Sequence, residues 1–258
     1  MARSSCDGLK SRWRLVAPLA IAMLTAGCAV AVGGTAQPAS SLTPRPLTGQ
    51  SIERALLGGR TLSRILKRPF NIDPRFPPWF GGPEALRDNG SASPVECLGV
   101  AEMLQHSVYQ SSKVTDVAVE TWRHAARSAD VTSVKEGVVS LPTAADASAL
   151  FAKFSQRWQE CDGSTTPLPG SLVRLTAKIT HVQVATSVLA ATLSIGWTLP
   201  GPDSASIPAG RAIAVRGNCL VEVEVDFFGP SNLSYQGSGD FNTTAIDIAR
   251  AMTDRVAH

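Results

Sequence analysis

RAIAVRGNCLVEVEVDF, residues 211–227, predicts a β-hairpin that sets the fold class. Its arms, 211–215 and 220–227, flank Arg216-Gly217-Asn218, a sequence suited to a tight turn with positive φ. In the second arm apolar residues alternate with charged ones, so one face is expected to be core and the other solvated. The charged members of that arm are Glu222, Glu224 and Asp226. A hairpin of this kind is typical of an antiparallel sheet.

Helices and further strands surround this hairpin in the sequence. The clearest helix opens at Pro142-Thr143 and ends at Cys161-Asp162-Gly163. Its apolar positions have the spacing of one helical face: Ala147, Leu150, Phe151, Phe154 and Trp158. Other predicted elements are strands at 114–122, 131–141, 172–181 and 188–199, and a last helix at 241–256. Strands joined mostly by hairpins, with helices inserted, predict an α+β fold with an antiparallel sheet and packed helices.

Two segments rich in proline and glycine, 69–94 and 200–210, are predicted to be loops. Three of the aromatic residues in the first segment are Phe76, Trp79 and Phe80. Because large aromatic side chains rarely remain in water without cost, we expect all three to dock on the domain.

Residues 1–27 have the features of a lipoprotein signal peptide. A basic start precedes a short apolar run, and Leu24-Thr25-Ala26-Gly27 leads directly into Cys28. The stretch resembles a bacterial lipobox, although Thr25 stands where an aliphatic residue is commoner. The apolar run is too short for the ~20 residues of a transmembrane helix. We therefore expect cleavage before Cys28 and lipidation of its thiol, although an ordinary signal peptide or a membrane anchor remains an alternative.

The composition beyond the signal predicts a tether and one domain. Residues 28–50 are rich in Gly, Ala, Ser, Thr and Pro and are expected to form a flexible tether, with the folded domain at 51–258. The signal carries the chain's whole net charge of +3, so the mature part is nearly neutral. A nucleic-acid-binding protein needs a basic face, and we therefore expect no nucleic-acid partner.

Three cysteines remain in the exported part of the chain, Cys97, Cys161 and Cys219. Three thiols in an oxidising compartment allow one disulfide with one cysteine left over. No CxxC pair is present, and no histidine adjoins a cysteine in the pattern of a zinc knuckle. We expect no metal and no cofactor.

Catalytic signatures are missing from the sequence. It contains no GxSxG elbow, HExxH helix, P-loop or GxGxxG turn. His106, His124 and His181 are each isolated and are interpreted as surface or partly buried polar residues. The three carboxylates of the hairpin could seed a cation site, but a hard cation needs six or more converging oxygens. A solvated strand face is the favoured interpretation, and no catalytic residue is assigned.

Three stretches together resemble the PknH-like extracellular domain family, named for the sensor domain of a mycobacterial serine/threonine kinase and also found alone in mycobacterial lipoproteins. They are Glu96-Cys97-Leu98-Gly99, Arg157-Trp158-Gln159-Glu160-Cys161, and the hairpin at 211–223. The resemblance implies a twisted antiparallel sheet with packed helices and a large ligand cleft. It also implies a Cys97–Cys161 disulfide. The family's second disulfide is not expected, because the matching positions near Gly210 and Asp226 are not cysteine.

These observations predict a non-catalytic, ligand-binding or sensing lipoprotein, anchored at the extracytoplasmic face of the cell membrane. Its partners would be the membrane, through the lipid anchor, and a small or lipidic envelope molecule in the cleft. Two alternatives stay open: an envelope hydrolase that uses one of the histidines, and a structural or partner-docking lipoprotein. The sequence does not identify the ligand-binding residues.

Overall fold

The predicted hairpin lies in the middle of a nine-stranded antiparallel sheet in the computed structural model. The structure describes residues 45–257 except 89, 91–93, 125–130, 170–174, 198–205 and 228–239. The strands are β1 (Phe70–Ile72), β2 (Trp79–Gly81), β3 (Asp116–His124), β4 (Val131–Ser140), β5 (Thr165–Leu168), β6 (Leu175–Val184), β7 (Val188–Trp197), β8 (Ile207–Arg216) and β9 (Cys219–Phe227). Their order is β1-β3-β4-β9-β8-β7-β6-β5, and β2 pairs with β3 beside β1. The expected α+β fold with an antiparallel sheet is confirmed.

Helices cover both faces of this sheet. They are α1 (Gly59–Leu66), α2 (Val95–Ala101), α3 (His106–Tyr109), α4 (Ala144–Glu160) and α5 (Thr244–Val256), with 3₁₀ turns at Gly49–Ala55 and Pro83–Ala85. On one face, α1, α5 and the first 3₁₀ turn form a core with Val221, Val223 and Val225. On the other, α2, α3 and α4 form a second core that includes Leu220 and Ile213. The sheet is therefore the middle layer of three.

The structure corrects the prediction that one face of the hairpin is solvated. Glu222 and Glu224 are buried, with only 2% and 8% of their surface exposed. Strand alternation identifies which residues share a face, but it does not reveal whether another layer covers that face. Here the face that carries the carboxylates lies under α2, α3 and α4, and ion pairs compensate the buried charge.

The longest helix agrees with its prediction at both ends. The Thr143 hydroxyl accepts a hydrogen bond from Asp146 N at 3.0 Å, which caps α4 at its start. After its last turn, Gly163 adopts a φ of 79°. All five predicted apolar positions are buried: Ala147, Leu150, Phe151, Phe154 and Trp158.

The strand residues that lie in the two proline- and glycine-rich segments were not predicted from the sequence. The segment 69–94 contains β1 and β2, which both pair with β3. Strand β8 begins at Ile207, inside the predicted 200–210 loop. Only Phe80 of the three aromatic residues packs on the core, whereas Phe76 is 46% and Trp79 57% exposed. The expectation that all three dock was wrong for two of them.

The folded part begins before residue 51, where the sequence suggested that a tether ends. Leu47 is 6% exposed, and its backbone N–H donates to Asn218 Oδ1 at 2.9 Å. Asn218 Nδ2 in turn donates to Leu47 O and Leu141 O, each at 2.8 Å. Asn218 follows Gly217, whose φ of 56° makes the predicted tight turn. One turn residue thus closes the hairpin and holds the N-terminal segment. The predicted signal peptide (1–27), Cys28 and the predicted tether up to residue 44 lie outside the described residues.

Candidate ligand-binding cleft

A cleft of about 400 Å³ opens on the face of the sheet that α2 and α4 cover. One wall comes from Ala101 at the end of α2 and from Glu102 and Met103 after it. A second wall is apolar and comes from strand ends. Its residues are Leu168, Leu175, Ile195 and Ile207. Two cross-strand pairs, Leu168 with Leu175 and Ile195 with Ile207, hold this wall in register.

The floor of the cleft is charged. Lys135 on β4 and Glu224 on β9 are cross-strand neighbours and form an ion pair there. Burial opposes ionisation of Glu224, but the charges of Lys135 and Arg211 outweigh it and hold the pKa of Glu224 below its ordinary value. Burial and the charge of Glu224 raise the pKa of Asp226 to about 6. Arg87 also lines the cleft, so both signs of charge occur in it beside the apolar wall.

A buried ion pair lies between the cleft and α4. Arg211 Nη2 donates to Glu222 Oε2 at 2.7 Å, and the exposed fractions of the two side chains are 0% and 2%. The same guanidinium also donates to three backbone carbonyl oxygens, those of Gly99, Val100 and Val223. Because Gly99 and Val100 belong to α2, Arg211 joins this helix to β8 directly beside the cleft wall.

The other oxygen of Glu222 is also satisfied. Glu222 Oε1 accepts hydrogen bonds from the Tyr109 hydroxyl at 2.5 Å and from Leu104 N at 3.2 Å. Burial, with the negative charge of Glu222, raises the pKa of Tyr109 well above its ordinary value, so this hydroxyl remains a donor. Every oxygen of the Glu222 carboxylate therefore has a partner, as a buried charge requires.

The three hairpin carboxylates do not form a cation site. Glu222 bonds to Arg211 and Glu224 to Lys135. Among the described residues, no cluster of three or more His, Cys, Asp or Glu has the arrangement of a metal site. Asp226 stands at the cleft floor beside the Lys135–Glu224 pair. Glu222 and Glu224 therefore form ion pairs, and they belong neither to a solvated face nor to the cation site considered from the sequence.

The histidines lie away from the cleft in the part of the chain that is described. His106 and His181 are exposed, and His124 is half-buried at the end of β3. The His124 ring packs edge-on against Phe70, with ring centroids 5.6 Å apart. None of the three lines the cleft. No arrangement of a histidine with a nucleophile at the cleft therefore favours the hydrolase alternative.

Cys97 and Cys161 form a disulfide, the pairing that the family resemblance implies. It joins α2 to the C-terminal end of α4. Cys219 is buried and unpaired, and burial raises the pKa of its thiol to about 12. A thiol with so high a pKa has little nucleophilic thiolate, so Cys219 serves as a small apolar core residue.

Two further carboxyl groups lie close together on the face of the sheet opposite the cleft. Glu120 and Glu136 are cross-strand neighbours, and Glu136 is fully buried. Glu136 Oε2 accepts a hydrogen bond from Leu57 N at 3.2 Å. Burial raises the pKa of Glu136 to about 8; the charge of Glu120 adds to the effect, and the Leu57 N–H opposes it. Partial burial likewise raises the pKa of Glu120, with Trp122 opposing.

We expect Glu136→Gln to remove a pH dependence of stability. The folded protein keeps the Glu136 proton up to about pH 8, whereas an unfolded chain releases it near its ordinary pKa of 4.5. This contribution to stability is therefore complete below about pH 4.5 and is lost as the pH rises through 8. Between about pH 5 and pH 8, wild type should lose about 3.5 kcal/mol relative to the variant, because the slope reaches its full value of about 1.36 kcal/mol per pH unit only between the two pKa values. Urea unfolding across this range measures the difference, and parallel stability curves would contradict it. Glu120→Gln, at a half-buried position, is the matched control and should change the slope less.

The fold and the cleft define the class of this protein: an α+β domain with a helix-covered antiparallel sheet and an amphipathic cleft. The chain matches the PknH-like extracellular domain over residues 47–255 and belongs to that family. The crystal structure of the extracellular domain of PknH from Mycobacterium tuberculosis is similar, with a TM-score of 0.66 at 17% identity, covering 83% of this chain and 98% of that one. The resemblance stated from the sequence is thereby confirmed.

Two other solved structures are more distant. A putative uncharacterized protein from Mycobacterium smegmatis gives a TM-score of 0.38 at 12% identity, covering 80% of this chain and 95% of that one. A hypothetical protein from Helicobacter pylori gives 0.27 at 7% identity, covering 48% and 84%. No curated protein matches the chain. None of the helices that the structure describes has the length and hydropathy to cross a bilayer.

Proposed function

We propose that this protein is a lipid-anchored, non-catalytic binding or sensing domain at the extracytoplasmic face of the cell membrane. The family is that of an extracellular domain, which agrees with export. The basic start, apolar run and small residues before Cys28 supply the signal and the acylation site. The Cys97–Cys161 disulfide fits an oxidising compartment. The segment 28–44 would then link the acylated cysteine to the folded domain.

The cleft carries the binding role in this proposal. Its volume of about 400 Å³ falls within the usual ~300–1,000 Å³ range of small-molecule sites. Beside the apolar wall, the cleft is lined by Arg87, Lys135, Glu224 and Asp226. An amphipathic envelope molecule would place its apolar part against the wall and its polar head on the floor. The floor can offer both donors and acceptors to that head.

A carboxylate placed at the mouth of the cleft should weaken binding. Ile207 lines the cleft and is 49% exposed, so Ile207→Glu adds a charge to the apolar wall with little cost to folding. We expect the affinity for a fluorescent fatty acid, cis-parinaric acid, to fall about tenfold or more, because the ligand's apolar part would desolvate the new carboxylate.

Val184→Glu is the matched control for this substitution. Val184 is also an aliphatic strand residue, is 41% exposed, and does not line the cleft. The Val184→Glu variant should bind cis-parinaric acid as tightly as wild type does. Equal loss in both variants, or no measurable binding by wild type, would contradict the proposed cleft function.

A further inference from the structure

Charge is strongly divided along the mature chain. Residues 45–80 carry seven Arg and Lys and only two Asp and Glu, a net charge of +5. Residues 81–258 carry 13 and 18, a net charge of −5. The mature chain is therefore nearly neutral as a whole, although its N-terminal part is basic and the rest is acidic. All seven basic residues of the N-terminal part are exposed.

The fold gathers most of this positive charge at one edge of the sheet. Strands β1 and β2 both pair with the free edge of β3, and α1 packs against β1. Leu62 and Leu66 are the buried residues of α1, so Arg60 and Arg64, one turn apart, face outward. Lys67 and Arg68 follow the helix and are exposed as well.

Two exposed aromatic side chains stand at the same edge. Phe76 belongs to the loop between β1 and β2, and Trp79 opens β2. Their exposed fractions of 46% and 57% are high for rings of this size. The guanidinium of Arg75 lies 5.6 Å from the centroid of the Phe76 ring. We call the set Arg60, Arg64, Lys67, Arg68, Arg75, Phe76 and Trp79 the basic edge.

Little negative charge opposes the basic edge within residues 45–80. Of the two acidic residues, Asp73 is buried and bonded to Arg75 at 2.6 Å, so it neutralises Arg75 and the net charge of the basic edge comes from the four cations of α1 and the two residues after it. Glu53 is exposed on the first 3₁₀ turn. Exposed cations interleaved with aromatic rings are the composition of surfaces that bind anionic lipid headgroups: the cations attract the phosphates, and the rings enter the headgroup layer.

We propose that the basic edge docks on the anionic phospholipid surface of the membrane to which the chain is anchored. The proposal extends the proposed anchoring at Cys28 and uses its geometry. Residues 28–44 are 17 residues long, and a chain of that length spans at most about 60 Å even when fully extended. Such a link would hold residue 45, and with it the N-terminal part of the domain, within reach of the headgroups. Docking would fix which side of the domain faces the bilayer.

The test uses the mature chain, residues 28–258, with Cys28→Ser so that no lipid contributes to binding. Its partition onto vesicles of phosphatidylcholine with 30% phosphatidylglycerol is compared with that onto phosphatidylcholine alone. We expect partition at least about twentyfold stronger on the anionic vesicles at low salt, and a steep decline as salt screens the charges. Each basic residue near such a surface contributes about fivefold.

Two variants probe the two parts of the basic edge. Arg60→Glu with Arg64→Glu should lower partition onto the anionic vesicles at least about twentyfold, because two attractions become repulsions. Trp79→Ala should lower it about fivefold to tenfold through lost apolar contact. The matched control is Lys153→Glu with Arg157→Glu, an exposed pair with the same spacing on α4, across the sheet. It should change partition less than about twofold, and thermal unfolding of each variant verifies that it is folded.

Several results would overturn the proposal. They are equal partition onto both vesicle types, equal loss in the α4 control, and no binding of wild type at low salt. Retention on an anionic wall polysaccharide without vesicle binding would assign the basic edge to that polymer and overturn the membrane assignment. Because the tested chain carries no lipid, each result is independent of whether Cys28 is acylated.

Discussion

Arg211→Met should lower the free energy of unfolding by about 3–5 kcal/mol. The substitution removes the partner of a buried carboxylate, and an uncompensated charge in the interior costs this much. Glu222 would keep only its bonds to the Tyr109 hydroxyl and to Leu104 N. The carbonyls of Gly99 and Val100 would also lose their donor, so α2 would loosen beside the cleft.

A second substitution separates the charge from the packing. In Arg211→Met with Glu222→Met neither charge of this ion pair remains, and we expect at least half of the lost stability to return. Arg157→Met, at an exposed position on α4, is the control and should lie within about 0.5 kcal/mol of wild type. Urea unfolding at pH 7 gives all four values. An Arg211→Met variant as stable as wild type would contradict this role for the ion pair. So would a double variant, Arg211→Met with Glu222→Met, that is no more stable than Arg211→Met alone.

Replacing both Cys97 and Cys161 by Ala should cost about 4 kcal/mol. The bridge closes a sequence separation of 64 residues, and the chain-entropy model assigns that value to a loop of this length. The disulfide also ties α2 to the end of α4, and the residues at and after the end of α2 form one wall of the cleft. The variant should therefore lose affinity for cis-parinaric acid together with stability.

Cys219→Ala is the matched control for the disulfide variant. Cys219 is buried and unpaired, so its replacement removes only one small group from the core and should cost about 1 kcal/mol. Treatment with a reductant should destabilise wild type and Cys219→Ala alike and leave the double variant unchanged. If reduction does not lower the stability of wild type, the pairing of Cys97 with Cys161 is contradicted.

Local patterns predicted the elements that carry a strong period or an explicit terminus. The helix α4 has five apolar residues on one face, a capping Thr143 and a terminal Gly163, and both of its ends agree with the prediction. The hairpin is marked by Gly217 and by strict alternation in β9. Strands β1 and β2 have three residues each, too few for a period, and they stand among prolines.

Long-range packing explains what the sequence did not predict. The carboxylates of β9 alternate as a solvated face would, yet Glu222 and Glu224 are buried because α2, α3 and α4 cover that face. Arg211 and Lys135, from the neighbouring strands, compensate their charge. The cleft is lined by residues from Arg87 to Asp226, which are brought together by the strand order and by the position of α2 on the sheet. Ile195 and Ile207 are unremarkable in sequence and become a wall only through their pairing.

Native mass spectrometry of the protein extracted from its host's membranes tests whether one chain carries both a lipid anchor and a ligand-binding cleft. We expect a chain that begins at Cys28 with the added mass of a lipid, carrying one noncovalently bound amphipathic molecule. That molecule should be absent from Ile207→Glu and present in Val184→Glu. A mature N-terminus downstream of Cys28 without added mass would contradict the anchor. A wild-type chain with an empty cleft, or a bound molecule that both variants retain, would contradict the binding function.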